Sequence, residues 1–324
     1  MNTAPKRNAR TTHELPSQFL RIVSDIKFLK IQGAQNIARQ AAASLQHLLI
    51  QSKKANHPGE IVLKRLLVAK ELLFSVRPTE PTLRNAINSI LRESKTLSAM
   101  ESNALINIVN SRINETLSYF EEADKIISNF ASKKIRSDMR IFTHCHSSTV
   151  THALITAHKN NTKFSVKNTE TRPLYQGRIT ATELAKAGIQ VTHYVDSAAR
   201  LALKESDVFF IGADAITAEG YVINKIGSEL LSFVANEYDI PVYVLSHSWK
   251  FDPQTVFGFE EPIEERYAQE VWKDAPAGVA IHNYAFERIH PKYITAIISE
   301  FGIHAPQTFV EVSRKEQTWM FERK

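Results

Sequence analysis

Apolar residues in the first part of the chain recur at helical spacing: Phe19, Ile22, Ile26 and Leu29, then Ile61, Leu63, Leu66, Leu67, Leu72 and Leu73, then Leu105, Ile108, Val109, Ile113 and Leu117. The stretch from Gln18 to Asn129 reads as helix after helix, punctuated by NHPG at 56–59 and RPTEP at 77–81. The polar tract ASKKIRSD at 131–138 reads as an inter-domain hinge, which predicts an N-terminal helical domain over residues 1–138. From Met139 the period changes. Short β-rich runs (RIFTH, KFSVK, VTHYV, DVFFIG, PVYVLS) alternate with helix-length segments such as TATELAKAG and SAARLALKE. That alternation predicts an α/β domain over residues 139–324, a doubly wound, mostly parallel Rossmann-like sheet with helices on both faces.

Such sheets bind ligands beyond the carboxyl ends of their strands, so the residues after each strand are the candidates. After RIFT come His144, Cys145, His146, Ser147, Ser148 and Thr149, leading into a helix from about Thr149 to His158. The positive end of that helix favours a bound phosphate and a thiolate; the plainer alternative is a buried cysteine beside a serine cap. His144 and His146 flank the cysteine, but no further ligand follows at zinc spacing. After KFSVK the loop carries Glu170, Arg172, Gln176 and Arg178. Two guanidiniums and an amide suit phosphate and hydroxyl recognition, whereas a Glu170–Arg172 ion pair would only shape the loop.

After DVFFI, Asp214 is wrapped in Gly212, Ala213, Ala215 and Ile216, a setting expected to raise its pKa. A plain turn aspartate is the alternative. Asn224 and Lys225 precede another helix start, where they could hold an anionic or polyhydroxyl group, and Lys250 lies just past PVYVLS, expected as the last parallel strand. No strand–helix junction reads GxGxxG or GxxxxGK[ST], so a nucleotide cofactor is not indicated.

Composition narrows this further. The chain has 324 residues, 43% hydrophobic and 23% charged, which excludes a disordered or fibrous protein. One cysteine excludes an internal disulfide framework and fits a reducing compartment. No apolar run is long enough to span a membrane, and the polar start MNTAPKRNARTTHELP lacks the apolar core of a signal peptide, so a cytoplasmic protein is expected. A net charge of +6 suits an anionic small substrate. It does not suit nucleic acid well, because no basic cluster is interleaved with stacking aromatics. The tail ends in Trp319, Met320 and Phe321, either a docking strip or a terminal packing contact.

Seven ordered motifs now stand together: IQGAQNIA at 31–38, RPT at 77–79, HCHSS at 144–148, ETRPLYQGR at 170–178, GADAI at 212–216, NKIGS at 224–228 and SWKF at 248–251. Their series resembles the superfamily that joins ribose-1,5-bisphosphate isomerase, methylthioribose-1-phosphate isomerase and the alpha, beta and delta subunits of translation initiation factor 2B. The resemblance runs from about Asp25 to about Glu311. HCHSS after a long helical start looks more like the ribose bisphosphate enzyme; the methylthioribose enzyme typically shows a CN-containing motif.

The resemblance implies an aldose–ketose isomerase acting on a phosphorylated pentose, with Cys145 as proton acceptor and Asp214 as proton donor. It implies phosphate holders in the Gly33–Ala34 backbone, Arg77, Ser147 and Ser148. Asn224 and Lys225 would support the oxygen-rich intermediate, and Gln176 and Lys250 would meet the sugar or its C1 phosphate. No cofactor or metal enters this chemistry. A homo-oligomer, dimer or hexamer, is implied as well. The translation-factor subunits look to have lost the Cys–Asp pair, so its presence favours an enzyme over a regulatory subunit that binds a sugar phosphate or nucleotide without turnover. One departure stands out: Gln32 replaces the arginine the isomerases usually carry before Gly-Ala, which opens the phosphate subsite to a different substrate.

Overall fold

The structure is a computed structural model that describes residues 15–260 and 262–321. The polar opening of the chain, read above for a signal peptide, lies outside the described residues except for its last two. The chain packs as two compact units, one ending at Phe120 and one starting at Glu121.

The first unit is all helix: α1 (Ser17–Lys27), α2 (Ala34–Lys54), α3 (Gly59–Val76), α4 (Pro81–Ile90), α5 (Ser94–Ser98) and the start of α6 (Ser102–Ser132). Most of the periodic residues identified above build its core, with Phe19, Ile26, Leu66, Leu105 and Ile113 fully buried, whereas Ile61 and Leu67 are exposed. Pro81 opens α4 at a position where its missing N–H costs nothing.

The second unit begins within α6 and is built on a seven-stranded sheet: β1 (Arg140–Thr143), β2 (Ser165–Thr169), β3 (Gln190–Tyr194), β4 (Val208–Ile211), β7 (Val242–Leu245), β9 (Ala296–Ser299) and β10 (Gly302–His304). Their order is β10-β9-β7-β4-β1-β2-β3, parallel except for β10. Burial explains the order. β4 (VFFI) is buried along its whole length and sits inside, whereas the polar β3 (QVTHY) tolerates the edge. The connecting helices are α7 (Ser148–Lys159), α8 (Gln176–Lys186), α9 (Ala199–Lys204) and α10 (Ser228–Glu237), and α11 (Pro306–Glu316) follows the last strand.

A second, antiparallel sheet orders β5 (Ala215–Ile216), β6 (Val222–Lys225) and β8 (Phe286–Ile289). Among the described residues no helix is long and apolar enough to cross a membrane.

Two expectations change. PVYVLS is not the last parallel strand, because β9 pairs parallel with β7 beyond it. The run AIIS is as apolar as the others, but irregular chain from Phe251 to Ala285 hides its place in the alternation. The Trp319–Phe321 strip is a packing contact: Trp319 meets Trp249 edge-on at 5.4 Å, and Phe321 lies 5.7 Å from Phe251, so this apolar surface is already used.

Candidate active site

Strand order reverses at β1: β2 and β3 lie to one side of it, and β4, β7 and β9 to the other. The crevice between β1 and β4 is where doubly wound sheets place their ligands. Cys145 follows β1, and Asp214 follows β4.

Cys145 is buried in the left-handed backbone region at φ 67°. Burial pushes its thiol up to about 11; the Lys225 cation and a backbone N–H of His146 pull against this, and Asp214 and Asp196 add to it. Burial therefore works against the thiolate that the helix start favours. Helix α7 starts at Ser148, three residues on, and its first-turn charge is outweighed by the loss of water around the sulfur. Ser147 is the cap of α7, accepting from the Val150 N–H at 3.4 Å, and Ser148 is its half-buried first residue.

His144 is also buried. Its Nε2 lies 2.9 Å from the Ile226 carbonyl and must donate to it, so Nδ1 accepts the Thr169 hydroxyl proton at 2.6 Å. The ring is neutral in this arrangement, and burial lowers its pKa. Both nitrogens are thus taken by protein partners.

Half-buried Asp214 opens the small sheet. Its N–H donates to the Ile223 carbonyl at 2.8 Å, and the pairing of Ala215 with Ile223 sets Asp214 beside Asn224. Asn224 is buried and gives its amide to Ser228 Oγ at 3.0 Å, which fixes its orientation. Lys225, at the end of β6, lies over the Phe286 ring at 4.6 Å, and its charge favours the ionised form of Cys145. Close backbone packing holds this geometry: a Cβ on Gly212 would come within 2.6 Å of Ser147 Oγ, so β4 can approach the start of α7 only with glycine there.

Around Arg172 the predicted ion pair changes partner. Glu170 pairs with Arg178 at 3.1 Å, and Arg178 stacks on Tyr175 at 3.8 Å. Arg172 is exposed and gives its guanidinium to Tyr175 Oη at 2.7 Å and to the Val271 carbonyl at 3.2 Å. Gln176 begins α8, and Gly177 after it touches the Thr169 carbonyl so closely that no side chain fits. Lys250 is not the solvated charge expected of a loop lysine, being only 6% exposed, and its cation faces the fully buried His247.

In the first unit, Gly33 (φ 84°) precedes α2, whose N-terminal turn, beginning at Ala34, has no side-chain cap. Arg77 is buried after α3 and pairs with Glu80 at 2.6 Å. The Gln32 amide turns back onto the Leu29 carbonyl at 2.8 Å and brings no charge to that turn.

Three residues around Cys145 escaped sequence reading: Thr171, Thr180 and Asp196. Asp196 directly follows β3, so the strand-end rule could have found it. The two threonines act on the cysteine backbone and leave no pattern.

Residues 30–306 match the Initiation factor 2 subunit family. The chain belongs to that family. It is 36% identical over 309 residues to the ribose 1,5-bisphosphate isomerase of Thermococcus kodakarensis, covering 93% of this chain and 95% of that protein. It is 33% identical to the methylthioribose-1-phosphate isomerase of Pelotomaculum thermopropionicum, covering 90% and 84%. The solved structure of translation initiation factor eIF-2B from Pyrococcus horikoshii OT3 superposes with a TM-score of 0.79 at 29% identity, covering 91% of this chain and 100% of that one.

Proposed function

We propose that this protein is a sugar-phosphate aldose–ketose isomerase that converts ribose 1,5-bisphosphate to ribulose 1,5-bisphosphate. The observation that carries the reading is the placement of Cys145 and Asp214 after the two strands that flank the strand-order reversal, β1 and β4. The named isomerases among the relatives support the reaction class.

A phosphate on C1 locks the sugar ring, so the ring must open under acid catalysis. Asp214 in its carboxylic acid form gives a proton to the ring oxygen as the C1–O bond breaks. The Cys145 thiolate takes the C2 proton, and that C–H electron pair forms the C1–C2 double bond of an enol phosphate. The C2 hydroxyl then returns its proton to Asp214, and the thiol returns its own to C1. The product is a ketose with both groups restored, and no external oxidant or reductant is consumed. Lys225 favours the thiolate, and Lys225 with Asn224 supports the charge that builds on the intermediate. Within the second unit, Ser147 and Ser148 at the start of α7 are assigned to a phosphate, and Gln176 and Lys250 to the sugar. Assembly as a dimer or hexamer belongs to the same reading and is tested by light scattering.

The likeness to a protein named translation initiation factor eIF-2B supports a second reading, a subunit that binds a sugar phosphate without turning it over. Turnover of ribose 1,5-bisphosphate and methylthioribose 1-phosphate, followed by NMR for the ketose, separates the two. Turnover lost in both Cys145→Ser and Asp214→Asn upholds the enzyme. No turnover of either sugar, with the sugar phosphate still raising Tm, overturns it in favour of binding.

A further inference from the structure

A non-glycine residue rarely holds the left-handed backbone region unless its surroundings impose it, and Cys145 is one such residue, at φ 67°. Both of its backbone polar groups end on buried threonine hydroxyls. The Cys145 N–H donates to Thr171 Oγ1 at 3.0 Å, and Thr180 Oγ1 donates to the Cys145 carbonyl at 2.9 Å. With the Thr180 proton committed there, His146 Nδ1, 3.0 Å from the same hydroxyl, must be the donor in that contact.

Thr171 is itself held in the left-handed region, at φ 61°. Its N–H donates to Asp196 Oδ1 at 2.8 Å, and the N–H of Arg172 donates to Asp196 Oδ2 at 2.7 Å. One carboxylate after β3 therefore fixes the loop after β2, and that loop fixes the residue after β1. The direction of the Cys145 Cα–Cβ bond follows from its backbone, so these bonds set the arc on which the sulfur sits.

We propose that Asp196, Thr171 and Thr180 are positioning residues for Cys145, a relay of three strand ends that aims the thiol at its substrate. This rests on the reading of Cys145 as the proton acceptor.

Thr171→Val keeps the shape but loses the hydroxyl, whereas Thr171→Ser keeps the hydroxyl and loses a methyl group. Since an ångström of misplacement can cost about 10²-fold, the valine variant is expected to lose about that much in kcat with KM nearly unchanged, and the serine variant to stay near the parent. An equal loss in both variants, or an unchanged kcat in the valine variant, overturns the proposal.

Iodoacetamide labelling of Cys145 at fixed pH, read by mass spectrometry on the unliganded protein, gives an answer independent of turnover. The rate is expected to change in Thr171→Val and not in Thr171→Ser; equal rates in all three proteins overturn the proposal even if no sugar phosphate is turned over. Should Thr171→Val fail to fold, Asp196→Asn serves, because an amide oxygen cannot reproduce both carboxylate contacts. It is expected to lower kcat while leaving KM nearly unchanged, and a parent-like kcat overturns the relay.

Discussion

His144 Nε2 donates to the Ile226 carbonyl across 2.9 Å, tying the residue before the cysteine to the residue after Lys225. The bond joins the residue after β1 to the residue after β6, so Cys145 and Lys225 each adjoin one fixed link. Burial, not this bond, lowers the histidine pKa, and Lys225 is the positive charge that lowers the thiol pKa.

Alkylation of Cys145 should therefore be slow at neutral pH. With the thiol pushed up to about 11, the iodoacetamide rate is expected to rise about tenfold per pH unit between pH 7 and 9.5, without a plateau. Lys225→Met removes a cation that lowers the thiol pKa and should slow labelling further at every pH. The chain has one cysteine, so peptide mass spectrometry reads the site without interference. A plateau below pH 9 would contradict the assignment.

Acid should destabilise the second unit through its buried histidines. Burial, with Lys250 nearby, holds His247 down to about 3, and burial lowers His144 and His146 as well. Below the ordinary histidine value the unfolded chain takes up protons that the folded one refuses, so stability falls as pH falls from about 6.5 toward 3. For His247 alone the slope approaches about 1.4 kcal/mol per pH unit. Urea midpoints between pH 7 and 4 measure it, and His247→Gln should flatten the curve.

Two glycines are predicted to resist substitution. Gly212→Ala brings a methyl group within 2.6 Å of Ser147 Oγ and 2.7 Å of its Cβ, which should cost about 1–3 kcal/mol in a urea titration. Gly177→Ala should cost more, because the obstacle is the Thr169 carbonyl of β2, a backbone atom in the sheet rather than a side chain that can turn.

Removing the Glu80 carboxylate should destabilise the first unit. Arg77 and Glu80 are both buried and lie 2.6 Å apart, so Glu80→Ala leaves the guanidinium without this carboxylate in a dry setting. A loss of about 3–5 kcal/mol is expected from the denaturation midpoint. Arg77→Met with Glu80→Leu should recover much of it.

The helices of the first unit and five of the strands were legible because burial leaves a period: 3.6 residues in α1, α3 and α6, and solid apolar runs such as VFFI in β4. Cys145 and Asp214 were legible as residues standing after strands, and Asn224 and Lys225 as residues before a helix start. Their electrical state was not. A helix start beside Cys145 suggests a thiolate, but the number of atoms that exclude water from the sulfur is set by contacts far apart in sequence. The pairing of Glu170 with Arg178 rather than Arg172 depends on how the 170–178 loop closes, and the threonine bonds to the Cys145 backbone depend on two loops meeting. Neither has a signature along the chain.

The reversal of strand order at β1 places Cys145 and Asp214, the proposed proton acceptor and donor, on separate βα units. The chain runs outward from β1 to β2 in one direction and from β4 to β7 in the other, and right-handed crossovers put the two sets of helices on opposite faces of the sheet. Either half of the chemistry can thus be erased by one exchange in a single loop, without disturbing the core that both halves share. A fold arranged this way lets turnover and ligand recognition be inherited separately, so catalysts and silent receptors can descend from one ancestor by a change of very few residues.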